Sequence, residues 1–248
     1  MFLLKLSLCV ALMASPLEQT EEVVTLTSDH LIVGFSKQTG GIVQIRSVKT
    51  GQEFLKNASD KPLMWRLVFR TPEQEEVALD NTQVPPPLIL VRGGMPIFDW
   101  HGINLGDEVG VLTVQVYCAL NRSDERASLR IHVKNDSVRF SLWNVHFPVI
   151  APFSEAGKPD IAIGRGTWGV LYPKVEKPIS GEYPSHSLPM QFMLVHEEEN
   201  GLYLAAHDPQ AFFKRFELEP GGEFRVLTWA TDMGVPGNDW SASYPFVL

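Results

Sequence analysis

Residues 183–216 read YPSHSLPMQFMLVHEEENGLYLAAHDPQAFFKRF, two apolar runs parted by a polar one. Pro189 to His196 is strand-like. Glu197 to Gly201 is predicted to turn, with Asn200-Gly201 as a strong short hairpin signal. Gly201 to Asp208 is then the returning strand, and Pro209 ends its ladder because it has no N–H to give. The stretch is therefore a β-hairpin with polar and aromatic groups at both ends. The rest of the chain repeats its logic.

Leu63, Trp65, Leu67 and Phe69 alternate with Met64, Arg66, Val68 and Arg70. Ala127, Leu129, Ile131 and Val133 alternate with Ser128, Arg130, His132 and Lys134. Period two with one dry and one wet face is the pattern of antiparallel strands. Glu21–Thr27, His30–Ser36, Ile42–Val48, Leu88–Val91, Val109–Cys118, Val138–His146 and Phe224–Thr231 add further strands between turn residues. Residues 148–182 are broken by prolines and glycines and are expected to form a long excursion with short strands over one end of the sheets. Only Ala211–Phe216 is ambiguous between helix and strand. About fifteen short strands with regular turns predict an all-β sandwich of large antiparallel sheets. No blade-length repeat supports a propeller.

The chain has 248 residues, 44% of them hydrophobic and 10% aromatic, enough for one large β domain. Its formal net charge is −8, and its longest basic run is Lys214-Arg215. Nucleic acid and anionic membrane are poor partners for such a surface. Residues 1–15, MFLLKLSLCVALMAS, have the form of a secretory signal: one lysine, then a short apolar run from Leu6 to Ala14. Residues 16–248 are then the mature sandwich, secreted or periplasmic. Leu8 before Cys9 is too large for the usual lipid-attachment pattern. With the leader removed, Cys118 stands alone and no internal disulfide is possible. It is in step with Leu112, Val114 and Val116, which makes it a buried thiol. Asn57-Ala58-Ser59, Asn121-Arg122-Ser123 and Asn135-Asp136-Ser137 match the glycan-acceptor pattern. The last residues, Tyr244 to Leu248, are apolar to the end: they dock in a sheet or lead into further chain.

No HExxH, paired CxxC, GxSxG or P-loop is present, so no catalytic residue is assigned. Nothing requires a metal or other cofactor. Asp99-Trp100-His101 and Asp107-Glu108 flank a glycine-broken loop, but without the spacing of a calcium loop. Glu197 to Glu199 is read as solvated charge. Aromatic residues carry more information, because sugars stack apolar C–H faces on rings while polar neighbours take the hydroxyls. Trp100, Trp168 and Tyr172 are placed in loops as candidate stacking platforms, with a core position as the competing reading. Trp143 and Trp229 lie within strands and are assigned to the core. Tyr183 and His186 belong to a turn-rich loop. Gln191 is a polar residue in an apolar strand, hence a core anchor or a ligand contact. His207 and Asp208 end a strand; adjacent strand residues face opposite ways, which favours a hydrogen-bonded structural role over catalysis. Trp100, Trp168, Tyr172, Tyr183, His186, Gln191, His207 and Asp208 are the sugar-contact candidates.

SDHLIVGF at 28–35, QTGGIVQI at 38–45 and KTGQEFL at 49–55 resemble the opening hairpins of galactose-mutarotase-like β-supersandwich domains. Tyr183–Phe192, Gly201–Pro209 and Lys214–Phe216 are similar to the end of that domain in secreted bacterial glycoside-hydrolase-like proteins. The resemblance covers nearly all of residues 16–248. In that family the sandwich precedes a (β/α)8 barrel that carries the catalytic carboxylates, and this sequence stops where the barrel would begin. The resemblance thus implies a glycan-related accessory domain that packs on a barrel and helps shape its sugar cleft. A stand-alone carbohydrate-binding module and a sugar epimerase using histidine and carboxylate are the alternatives.

Overall fold

A computed structural model describes residues 17–55, 61–150, 153, 160–197 and 200–248. The leader-like segment 1–15 and Asn57-Ala58-Ser59 lie outside the described residues. The strands in chain order are β1 (Leu17–Gln19), β2 (Val23–Thr27), β3 (Leu31–Ser36), β4 (Ile42–Ser47), β5 (Arg66–Arg70), β6 (Glu76–Asp80), β7 (Leu88–Arg92), β8 (Met95–Leu105), β9 (Glu108–Ala119) and β10 (Ser128–Asn135). They continue as β11 (Ser141–Ile150), β12 (Asp160–Arg165), β13 (Trp168–Tyr172), β14 (Ile179–Tyr183), β15 (Phe192–Glu197), β16 (Asn200–Ala206), β17 (Lys214–Leu218), β18 (Phe224–Trp229), β19 (Trp240–Ser241) and β20 (Phe246–Val247). Among the described residues there is no helix, and the architecture is an all-β sandwich.

The large sheet has ten strands in the order β13-β12-β15-β16-β20-β10-β9-β8-β7, with β19 also paired to β10. The smaller sheet has six, β14-β17-β18-β11-β5-β6, and β1 to β4 form a separate four-stranded meander. Every pairing is antiparallel. The inward faces of the strands supply one apolar core that includes Leu112, Val114, Val116, Leu129, Ile131 and Val133. Cys118 belongs to it, 1% exposed, and burial pushes its thiol well above the usual cysteine range. It is not a nucleophile.

The structure changes the sequence reading in three places and resolves it in a fourth. The glycine-broken loop expected between Asp99-Trp100-His101 and Asp107-Glu108 is largely strand: Met95–Leu105 forms an eleven-residue strand, next to the edge strand of the large sheet. Gly102, at φ 66°, coincides with a register shift between Trp100 and Ile103, so the glycine marks a bulge within the strand. The excursion at 148–182 does not lie over the sheets' end: β12 and β13 extend the large sheet, and β14 the smaller one. The hairpin turns earlier than Asn200-Gly201, since Glu197 pairs with Asn200 and His196 with Gly201. Residues 198–199 lie outside the described residues. Finally, Ala211–Phe216 is not helical; Ala211 takes φ 58° and Lys214 begins β17.

The apolar C-terminal residues dock. β20 pairs with β10 through Ser128 and Leu129, and with β16 through Ala205 and Ala206. The Leu248 N–H donates to the Ala127 carbonyl at 3.0 Å, and the Ala127 N–H donates back at 2.7 Å.

One turn is pinned with little tolerance. Gly40 has φ 76°, and a Cβ there would stand 2.3 Å from the Trp100 ring. Trp100 is 2% exposed and meets Trp65 edge-on at 5.6 Å. Asn81 ties the same corner: its amide donates to the Thr39 and Pro62 carbonyls, and its oxygen accepts from the Met64 and Trp65 N–H groups. Gly40→Ala therefore combines strain at positive φ with overpacking. Chemical denaturation is expected to show a loss of about 1–3 kcal/mol; an unchanged midpoint would mean that the Trp100 ring yields freely.

Candidate functional site

The loop between β16 and β17 bears two consecutive phenylalanines, Phe212 and Phe213, which are 51% and 48% exposed. They are held out by a buried polar cluster. Lys214 has no exposed surface in its side chain, nor has Asp208, and its ammonium donates to Asp208 Oδ2 at 2.8 Å. It also donates to Gln191 Oε1 at 3.0 Å and to the Phe212 carbonyl at 2.6 Å. The Asp208 carboxylate in turn accepts from the Gln210 N–H at 2.9 Å and the Phe212 N–H at 2.7 Å. Gln191 donates to the Asp208 carbonyl at 2.8 Å. The Tyr183 and Tyr244 rings stand 5.0 and 4.7 Å from the ammonium. Burial pulls the Lys214 ammonium below the ordinary lysine range, and Asp208 opposes that pull by hydrogen bond and charge. Burial, with the Asp208 charge, pushes the Tyr244 phenol up.

The exposed side of this loop forms an aromatic cleft with the end of β18 and the segment 239–244. Its volume is about 400 Å³. Phe213 and Trp229 pack ring to ring at 4.9 Å, and Trp240 and Tyr244 line the interior. Thr231, Ser241 and Ser243 supply polar edges, together with Asp239, whose carboxylate accepts the Asn135 N–H at 2.8 Å.

The cleft opens along β19 onto the outer face of the large sheet. Register places Asp99, Gln115, His132 and Ser241 in one row across β8, β9, β10 and β19. Tyr117 and Arg130 are partners in the neighbouring row. His132 Nδ1 is hydrogen-bonded to the Ser241 hydroxyl, and the Tyr117 hydroxyl donates to Gln115 Oε1 at 2.7 Å. Further along the same face His207 lines a polar recess of about 440 Å³ with Arg126, Asp124, Glu125 and Ser128. Its Nε2 meets the Tyr203 hydroxyl at 3.3 Å. Burial first, and the Arg126 charge second, lower the His207 pKa. Among the described residues no group of three or more His, Cys, Asp or Glu side chains is placed to hold a metal. Asp107 pairs with Arg139, and Glu108 accepts from the Ser137 hydroxyl and the Val138 N–H.

No protein-family model and no curated protein matches the chain. Solved structures do. A galactose mutarotase related enzyme from Lactobacillus acidophilus aligns with TM-score 0.54 and 13% identity, over 91% of this chain and 96% of its own. A putative aldose 1-epimerase from Escherichia coli aligns with TM-score 0.52 and 10% identity, over 91% of this chain and 97% of its own. A GH36 α-galactosidase from Geobacillus stearothermophilus aligns with TM-score 0.55 and 10% identity, over 93% of this chain but only 40% of its own. This chain has the galactose-mutarotase-like sandwich fold.

The mutarotase-like sandwich scatters the residues singled out from sequence. Trp100 is in the core, because the segment that bears it is a strand on which Phe98 and Trp100 face inward. Asp208 is likewise withdrawn, and Gln191 is committed to the Lys214 cluster. Tyr183 packs against the core beside that cluster. Trp168 is 76% exposed at the start of β13, and Tyr172, further along β13, accepts from Arg165 Nε at 2.9 Å. His186 lies over Gly166, whose N–H donates to its carbonyl at 2.8 Å. Of the eight, His207 lines a recess on the outer face of the large sheet. Trp229, assigned to the core from its strand position, is half-buried and walls the aromatic cleft. Phe213, Trp240, Tyr117 and Arg130 were not singled out. The signal for Phe213 was available: of two adjacent phenylalanines entering a strand, one must face away from the core.

Proposed function

We propose that this mutarotase-like sandwich binds saccharide in the aromatic cleft, as an accessory domain of a glycoside hydrolase that packs beside a (β/α)8 barrel. The observation that carries the reading is the pairing of exposed Phe213 with half-buried Trp229 in the wall of a cleft of about 400 Å³ with hydroxyls at its rim. Rings of this kind cover the apolar face of a pyranose, and the serine and threonine groups meet its hydroxyls. The accessory role is supported by the α-galactosidase, of which the fold occupies 40%.

Truncating a central aromatic anchor removes a large share of binding energy. Trp229→Ala is expected to weaken saccharide binding by about tenfold or more, measured by calorimetry or affinity electrophoresis, with the far-ultraviolet spectrum unchanged. Binding that survives the substitution at full strength would remove the cleft from consideration. A stand-alone sugar epimerase is the second reading, favoured by the near-complete coverage of the mutarotase-like proteins. The pair first considered for it diverges, because Asp208 is buried against Lys214 while His207 opens on its recess with Glu125.

A further inference from the structure

Six of the eleven arginines are neutralised in place: Arg66, Arg70, Arg122, Arg139, Arg215 and Arg225 each lie against a carboxylate. Among the described residues Arg46, Arg92, Arg126, Arg130 and Arg165 have no ion-pair partner, and Arg130 makes one hydrogen bond, from Nη1 to the Ser243 carbonyl at 3.1 Å. Of these five, Arg92 and Arg130 line one common recess. Two adjoining recesses on the outer face of the large sheet, about 260 and about 400 Å³, share Tyr117 and Arg130 in their walls. Arg92 closes one end and His132 the other. Among the described residues no carboxylate lines either recess. The carboxylate nearest in register, Asp99, is 14% exposed and lies 3.9 Å from His101.

A net charge of −8 disfavours anions over the surface as a whole. Guanidinium groups left without counter-charge in an acid-free recess are a local exception, and their planar fork matches carboxylate and sulfate oxygens. Between them Tyr117, 40% exposed, offers a ring for a sugar face. The recess also continues into the aromatic cleft, since Ser241 and Ala242 line both. Asp239 lies on the cleft side only, so charge preference changes along the groove.

We propose that the ligand is an acidic oligosaccharide: one sugar stacks on Phe213 and Trp229, and a carboxylated or sulfated neighbour lies over Tyr117 with its anionic group on Arg130 and Arg92. The inference rests on the saccharide reading above and adds a second, charge-selective subsite to it.

The test is calorimetry on the full chain with three ligands of equal length: a 1,4-linked galacturonic acid tetramer, a sulfated galactose tetramer and uncharged maltotetraose. One or both acidic tetramers are expected to bind roughly tenfold or more tighter than maltotetraose in about 50 mM salt, an advantage that shrinks in about 500 mM salt. The two acidic arms separate carboxylate from sulfate selection. Arg92→Gln, at an exposed edge, and Arg130→Gln are each expected to remove most of that advantage and leave maltotetraose binding unchanged. Equal affinity for charged and uncharged tetramers, still sensitive to Trp229→Ala, would overturn the acidic subsite and leave the saccharide reading standing. Failure of all three to bind would overturn both.

Discussion

Lys214→Met is expected to destabilise the domain by about 3–5 kcal/mol, the cost of leaving a buried charge without its partner. The lysine side chain is fully enclosed, so water cannot replace it beside Asp208. Methionine fills similar volume but gives no hydrogen bond to Asp208, Gln191 or the Phe212 carbonyl. The carboxylate would keep the Gln210 and Phe212 N–H groups, which accounts for a loss short of complete unfolding. Urea denaturation at neutral pH measures the effect. Adding Asp208→Asn should recover part of the loss, because the orphaned charge is then gone. A loss below about 1 kcal/mol in Lys214→Met would show that the cluster is not a keystone. The same substitution is expected to loosen the aromatic cleft, since Lys214 and Asp208 together hold both backbone groups of Phe212.

The all-β class was legible because period-two alternation survives on most strands, and burial of one face enforces it. Ser128 to Lys134 was read strand by strand and stands so in the fold. What alternation cannot give is register between distant strands. It put Tyr117 and Arg130 on wet faces, but only the pairing of β9 with β10 sets them side by side. The same limit applies to Arg92 on β7 and Arg130 on β10, which line one recess across β8 and β9. Glycine misled the reading of β8, because a bulge and a loop demand the same residue. Lys214 misled in another way. A lysine next to an arginine reads as surface charge, and nothing in the local sequence says that Asp208, Gln191 and Phe212 will enclose it.

Acid should weaken this fold through a residue remote from the cleft. His146, on β11, faces the outer side of the smaller sheet, and its Nδ1 is buried without a hydrogen-bond partner among the described residues. Burial, reinforced by the Arg225 charge, pushes its pKa from 6.5 down to about 4; Glu217 opposes and Arg66 adds to the shift. An unfolded chain keeps the ordinary histidine value. Between about pH 6.5 and about pH 4 the unfolded state therefore binds a proton that the native state refuses, and native stability falls as pH drops through that window. The loss attributable to this one imidazole is about 3 kcal/mol by pH 4. His146→Gln cannot titrate, so its stability between pH 7 and pH 4 should be flatter than the wild type's by that amount. Carboxylates titrating at the low end affect both proteins alike and cancel in the difference. Parallel stability profiles for the two would mean that the imidazole finds a proton acceptor or water in the native state, and the acid sensitivity would then belong to the Arg225–Glu217–Glu219 network beside it.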